Sequence, residues 1–434
     1  MEFKNDKKTI KAWAMFDWAN SAYNLVITST VFPAYYIAVT QGRGDKVEFF
    51  GRHFVNTALS NYALATGYLI MVIVLPILSS IADYRGNKMV FMKFFTYMGG
   101  IACIGLFSFG KDSPLEIPII CFTLAAMGYV GGILFNNSYL PDIATVEEQD
   151  SVSAKGYAYG YFGSVLLQIA CFVIILEPQW FGITDSYLPS QISFVMVGLW
   201  WIGFAQIPFS KLPKVSPNNK KINRRVINSG FQELKKVWHH LKGMKTLKRY
   251  LFAFFFYSIG VQTIMLVAAG FGEKVLHLGT QKLITTVLII QIVAIFGAYL
   301  MSYLAKKIGN IVVLSIVIVI WIGVCISAYY VSTESQFYVL AAIVGMVMGG
   351  VQSLSRSTYS KYLPEDTPDT ASFFSFYDVT EKIAIVIGLF SFGYIEEFSG
   401  SMRNSAVSMT TFFLIGLMIL LSILTMKTPV SNKA

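Results

Sequence analysis

The chain has 434 residues, of which 55% are AVILMFWYC and only 13% are charged, with a formal net charge of +10. A soluble domain carries roughly 25% charged residues and covers itself with polar surface. The composition therefore excludes a soluble enzyme, a disordered chain and a nucleic-acid-binding domain, and predicts an all-α membrane protein crossing the bilayer many times.

The four cysteines, Cys103, Cys121, Cys171 and Cys325, are far apart in apolar stretches and form neither a disulfide framework nor a zinc pattern. The four histidines show no metal-ligand spacing, and no phosphate-binding or dinucleotide-binding glycine motif is present. No metal, cofactor or ATP-driven step is expected, and no His, Asp or Ser cluster at membrane depth points to an intramembrane enzyme.

About 20 apolar residues cross a hydrocarbon core of roughly 30 Å. Twelve such runs are predicted, at 13–38, 58–81, 89–109, 116–139, 156–177, 190–209, 250–272, 283–304, 311–331, 337–359, 375–395 and 406–426. With the N-terminus in the cytoplasm, 27 lysines and arginines fall on inner segments and 7 on outer ones. That bias places both termini inside and assigns the net charge to topology rather than to nucleic-acid binding.

Span 1 carries Trp13, Asp17, Asn20, Ser21, Asn24 and Thr28 on one helical face, with a kink expected at Pro33. Asp17 is read as the one acid well inside a span, where an ionised carboxylate costs about 2.5–3.5 kcal/mol at the centre. It must face a cavity, find a partner or take a proton. Span 2 ends in Ser79-Ser80-Ile81-Ala82-Asp83-Tyr84-Arg85-Gly86-Asn87-Lys88. Gly86 suits a sharp turn, and Asp83 can meet a basic group or the N-terminus of another helix. Span 4 ends with Asn136, Asn137 and Pro141, and span 5 opens with a small-residue face of Gly156, Gly160 and Ser164 that suits close helix packing.

Residues 210–249 form a basic linker, with twelve lysines and arginines and one acid, Glu233. Phe231, Leu234, Trp238 and Leu241 recur there at helical spacing, which predicts an amphipathic helix on the inner leaflet. The linker divides the chain into 1–209 and 250–434, each with six spans.

In the second half, span 7 carries Gln262 and span 10 carries Gln352 and Arg356, which could pair with Asp17, bind a substrate carboxylate or snorkel to the interface. The loop after span 8, Ser302 to Asn310, repeats the length and glycine of the first-half loop, with Gly309 lying 223 residues after Gly86. Lys306 stands there in place of the aspartate. Span 11 opens with Phe373 to Lys382, in which Asp378 and Lys382 are spaced i, i+4 and can pair on one face, read as gate or interface structure.

The six-plus-six layout and the loop holding Asp83, Gly86 and Lys88 resemble the major facilitator superfamily, in which that loop latches the cytoplasmic side. The strings Trp13 to Tyr23, Tyr139 to Ala144, Gly156 to Gly163, Gly260 to Ile264, Gly349 to Ser357 and Phe373 to Tyr377 resemble one family within it, the vacuole-effluxer-like family, named for a fungal vacuolar amino-acid exporter. One departure is Ile259, where many members place an acid before the span-7 glycine. The resemblance implies two six-helix bundles in a major facilitator fold, with spans 1, 4, 7 and 10 lining a central cavity. It also implies secondary transport of small solutes such as amino acids, with protons as a coupling ion, across a bacterial inner membrane.

The substrate-binding candidates are then Asp17, Asn20, Asn24, Asn137, Gln262, Gln352 and Arg356, and the gating candidates are Asp83, Gly86, Lys88, Lys306 and Gly309. The partners expected are a small-molecule substrate and the lipid bilayer, with no nucleic acid. An exporter of drugs or peptides, and a transporter-shaped receptor or scaffold without flux, are the competing readings.

Overall fold

The computed structural model describes residues 4–40, 46–111, 113–213, 224–364 and 367–426. Residues 214–223 of the basic linker lie outside the described residues, as do the side chains of Phe231 and Leu234, on which part of the predicted amphipathic face rests.

The described chain is almost wholly helical, with one short two-stranded hairpin. Eleven helices among the described residues are long and apolar enough to span a bilayer. They are span 1 (Lys7–Thr40), span 2 (Leu59–Arg85), span 3 (Lys88–Ser108), span 4 (Glu116–Ile143), span 5 (Gln149–Leu176), span 6 (Leu188–Lys211), span 7 (Lys245–Leu276), span 8 (Gln281–Ile308), span 9 (Asn310–Tyr330), span 10 (Glu334–Lys361) and span 12 (Met402–Leu424). The remaining one, span 11 (Thr370–Ser399), has 30 residues and ample length. It is set apart by Asp378, Glu381 and Lys382, which interrupt its apolar run. Between spans 6 and 7 lies the linker helix Arg224–Gly243.

The helix ends follow local chemistry. The Asp6 carboxylate accepts the Thr9 amide at 2.8 Å and starts span 1. Thr333 and Gln336 form a capping box at the start of span 10. Span 1 is not one regular helix. It is α-helical over Lys7–Ala22, π-helical over Tyr23–Val31 and α-helical again from Phe32, next to Pro33. Proline lacks the N–H that would continue the regular ladder, so the change of helix type stands where the kink is expected. Between spans 1 and 2 the chain forms a two-stranded hairpin, Lys46–Phe49 with Arg52–Val55, for which the apolar-run reading gives no signal. Its turn holds Phe50 and Gly51 at φ 49° and 70°, the left-handed pair that matches strand twist.

Contacts group the chain into two compact units. The first comprises Met1–Thr145, Lys155–Leu234 and Pro368–Val379, and the second comprises Val146–Ala154, Lys235–Thr367 and Thr380–Ala434. The units therefore exchange segments: the first turns of span 5 belong with the second half of the sequence, and the first turns of span 11 with the first half. Within the second unit, spans 8 and 10 approach backbone to backbone, and a side chain at Gly349 would collide with the carbonyl of Ala294.

Candidate functional site

In the first unit, the polar face of span 1 is turned into protein. Asp17 is 2% exposed and Asn20 fully buried. The Asn136 amide of span 4 donates to the Asp17 carboxylate at 3.4 Å, and the Trp13 indole donates to the Asn136 carbonyl at 2.7 Å. Asn20 faces span 4 one turn farther along, where a side chain at Gly132 would sit 3.4 Å from its Oδ1. Both amide atoms of Asn20 and the Oδ1 of Asn136 find no hydrogen-bond partner among the described residues. Asn137 is 3% exposed, while Asn24, in the π-helical stretch, is half-buried. The small face of span 5 packs here: a side chain at Gly160 would meet Ser21 Oγ at 2.6 Å and the Asp17 carbonyl at 3.3 Å.

In the second unit, Gln262 donates to Glu381 Oε1 at 2.8 Å, and Lys382 donates to Glu381 Oε2 at 2.7 Å. Gln352 lies near Met265 of span 7, 3.7 Å from its sulfur. Glu381 is eleven residues past Thr370, about 17 Å along the helix, so Asp17 is not the one acid deep in a span. The side chains of Glu381 and Lys382 keep 19% and 8% exposure. Arg356 keeps none. Its Nε donates to Ser153 Oγ at 3.0 Å and its Nη2 to the Ser153 carbonyl at 2.8 Å. The structure thus places Arg356 against the start of span 5. Asp17 and Arg356 belong to different units, each with neighbours of its own.

The two loops read as gates are well defined. In the first unit, Gly86 takes φ +64° and closes span 2, with the Asn87 amide on the Ala82 carbonyl at 2.9 Å and the Gly86 amide on Asp83 at 3.0 Å. Asp83 is thereby aimed at the N-terminus of span 11. Its carboxylate accepts the Ala371 amide at 3.1 Å, and the Ser372 amide and hydroxyl at 2.7 Å each. Lys88 donates to Asp142 at 2.8 Å and to the Ser138 carbonyl at 3.3 Å, and also reaches Thr370.

In the second unit, Gly309 takes φ +87°. Lys306 lies 3.1 Å from Glu148, just before span 5. Next to it, Asp150, 1% exposed at its side chain, accepts Lys361 at 2.5 Å and the Asn310 amide at 2.7 Å. The Ser151 hydroxyl and then Lys306 hold the Glu148 carboxyl below the usual glutamate range.

Asn24 and Gln352 apart, the sequence-predicted residues fall into four local groups. They are Asp17–Asn20 with span 4, Gln262 with Glu381, the Asp83–Lys88 loop, and the Lys306–Asn310 loop with Arg356 nearby on span 10. Sequence reasoning missed Glu381 and Lys382 as deep charges and missed Glu148, Asp150 and Ser153 as loop partners. The one sign for the former was three charged residues inside an otherwise apolar run. An apolar cavity of the second unit, bordered by Ile264, Phe271, Val324, Phe337 and Phe392, offers no charged group for solute recognition.

Comparison with known proteins fits this geometry. The sequence model of the family described as "Vacuole effluxer Atg22 like" matches residues 5–430. The chain is 31% identical over 418 residues to the MFS-type transporter YxiO of Bacillus subtilis, covering 96% of this chain and 95% of that protein. It is 24% identical over 467 residues to autophagy-related protein 22 of Kluyveromyces lactis, covering 95% and 92%. Among solved structures, the Escherichia coli fucose:proton symporter FucP superposes with a TM-score of 0.68 at 10% identity, covering 97% of this chain and 98% of that one. The proton:xylose symporter XylE gives 0.70 at 12% identity, covering 96% and 94%.

Proposed function

Because this chain belongs to the vacuole effluxer Atg22-like family of major facilitator transporters, we propose that it is a secondary active transporter of small solutes. Amino acids or related small molecules are the substrates of this reading, protons the coupling ion, and alternating access the mechanism. It resides in a bacterial inner membrane with both termini cytoplasmic, in keeping with the lysine and arginine bias of the loops.

The observation that carries the proposal is the buried carboxylate of Asp17 among Asn20, Asn136 and Trp13. An acid inside a span is expensive unless it serves a pathway or a proton relay. It is kept here beside amide atoms that the surrounding side chains leave unsatisfied. Gln262, Gln352 and Asn24 supply further polar groups on spans 7, 10 and 1. Alternating access requires contacts that form in one state and break in another. The Asp83–Lys88 and Lys306–Asn310 loops supply such contacts, since each ties a residue of one sequence half to a helix start from the other.

The test is uptake of a labelled pool of the common amino acids into proteoliposomes of purified protein, with and without a pH gradient. The wild type is expected to respond to the gradient. Asp17→Asn is expected to lose that response and at least about tenfold in rate, the scale of one buried charge of about 1.4 kcal/mol or more. Unchanged uptake and pH response in Asp17→Asn removes Asp17 from the mechanism. Absence of any flux in the wild type favours the scaffold reading.

A further inference from the structure

The end of the linker helix and the start of span 7 carry a dense set of exposed cations: Lys235, Lys236, Lys242, Lys245, Lys248 and Arg249. The same stretch buries Val237, Leu241 and Leu247. Val237 and Leu241 are thus turned into protein, while Trp238 and the cations beside it are turned outward.

Three lysines of the loop contacts described above have acids of their own. Lys88 meets Asp142, Lys306 meets Glu148 and Lys361 meets Asp150. No acid stands against Lys235, Lys242, Lys245 or Lys248 among the described residues. Their charge is available to an anion from outside the chain.

The level of the patch identifies that anion. Arg249 donates to the Ser422 carbonyl at 3.4 Å, in the last turn of span 12, and the next residue, Tyr250, is already fully buried in span 7. Lys245, Lys248 and Arg249 thus lie at the start of span 7, a level where headgroups meet water, and Trp238 and Lys242 lie on the helix that leads into it. Trp238 is 50% exposed, with the Lys242 ammonium 5.9 Å from its ring centroid. A tryptophan beside a cation at that level suits a group with a charged head and an apolar body. A soluble anion has no reason to reside there, whereas a phospholipid is held there by its tails.

We propose that Trp238, Lys242, Lys245, Lys248 and Arg249 form a binding surface for anionic phospholipid headgroups, with Lys235 at its edge. Each cation near such a headgroup adds to the attraction, and the attraction weakens with salt.

The test places full-length protein in nanodiscs of phosphatidylcholine alone or with increasing phosphatidylglycerol, and reads the melting temperature. The wild type is expected to melt higher as phosphatidylglycerol rises, and to lose most of that gain in high salt. A combined K242Q/K245Q/K248Q/R249Q variant is expected to need at least about tenfold more phosphatidylglycerol for the same shift. The matching substitution of the three lysines by arginine is expected to behave as wild type, and equal melting of all three proteins in phosphatidylcholine establishes that they are folded. Trp238→Ala is expected to weaken the response about threefold. The proposal is overturned if phosphatidylglycerol and phosphatidylcholine act alike on the wild type, or if the glutamine variant responds as wild type does. It is also overturned if inorganic phosphate or heparin reproduces the shift in phosphatidylcholine discs.

Discussion

The loops after spans 2 and 8 occupy equivalent places in the two halves and solve one problem with opposite charge. After span 2, the acid sits on the loop side: Asp83 meets the first amides of span 11, whose first turn contains no acid of its own. After span 8, the loop side is basic and the acid has moved to the partner: Lys306 meets Glu148, and Asp150 stands in the first turn of span 5. The left-handed glycines, Gly86 and Gly309, keep the chain geometry in both. Loop shape is therefore fixed by backbone chemistry, while the sign of the charge can pass from one side of the contact to the other.

The exchange changes the energetics. Backbone amides at a helix start are fixed donors, and a carboxylate there gains from them and from the helix dipole together. The second-half contact relies on side chains, and its parts differ. Asp150 and Lys361 are 1% and 20% exposed at their side chains, whereas Glu148 and Lys306 are 44% and 39% exposed. Removing one partner of a buried pair costs about 3–5 kcal/mol, and an exposed pair contributes about 0–1 kcal/mol. The loop that departs from the aspartate pattern thus has its strength one residue pair away from the substituted lysine.

The sharpest way to break the comparison is Asp150→Ala, which takes the carboxylate from Lys361 and leaves that ammonium only the Asn310 side-chain oxygen at 3.1 Å. A loss of about 3 kcal/mol or more is expected in the unfolding free energy of purified protein. A loss under about 1 kcal/mol would show the second latch to be superficial. Asp83→Asn keeps an acceptor oxygen but removes the charge from the helix start, and about 1–2 kcal/mol is expected by the same measurement. The charge exchange itself is tested by Lys306→Glu, alone and with Glu148→Lys. The single change sets two acids face to face, and the double change is expected to recover most of the loss, with a coupling of about 0.5–1 kcal/mol in the double-mutant cycle. Additive losses would mean that Lys306 and Glu148 do not act on each other.

Much of this contrast could be read from the chain. The spans, the two loops, their glycines and the missing second aspartate are all apolar runs or local spacing. The partners were not legible, because contact between Asp83 and Ser372, or Asn310 and Asp150, joins residues far apart in sequence with no local signal. Depth in span 11 was misjudged for a related reason. Apolarity places its start near residue 375, but the helix begins at Thr370, where Asp83 caps it, and this carries Glu381 deeper. The sequence leaves Arg356 as a cavity charge or a snorkelling one, and its burial against Ser153 depends on the segment exchange that brings the start of span 5 into the second unit. The π-helical stretch at Tyr23–Val31 is a change of backbone register, to which side-chain hydrophobicity is indifferent.

The smallest expected effect separates the two forces acting on Glu148. Its carboxyl is held below the ordinary value first by the Ser151 hydroxyl and second by Lys306. A carboxylate with a depressed folded value contributes stability above the ordinary glutamate value and loses it as pH falls through the depressed one. Acid unfolding should therefore begin at a higher pH in Ser151→Ala, and by a smaller margin in Lys306→Gln, which removes only the lesser cause. Both shifts stay small because Glu148 is well exposed and water screens it. Acid titrations of the three proteins, followed by helical circular dichroism, check the order. If Lys306→Gln moves the transition more than Ser151→Ala does, the lysine dominates, and the second loop is more truly electrostatic than its exposed geometry indicates.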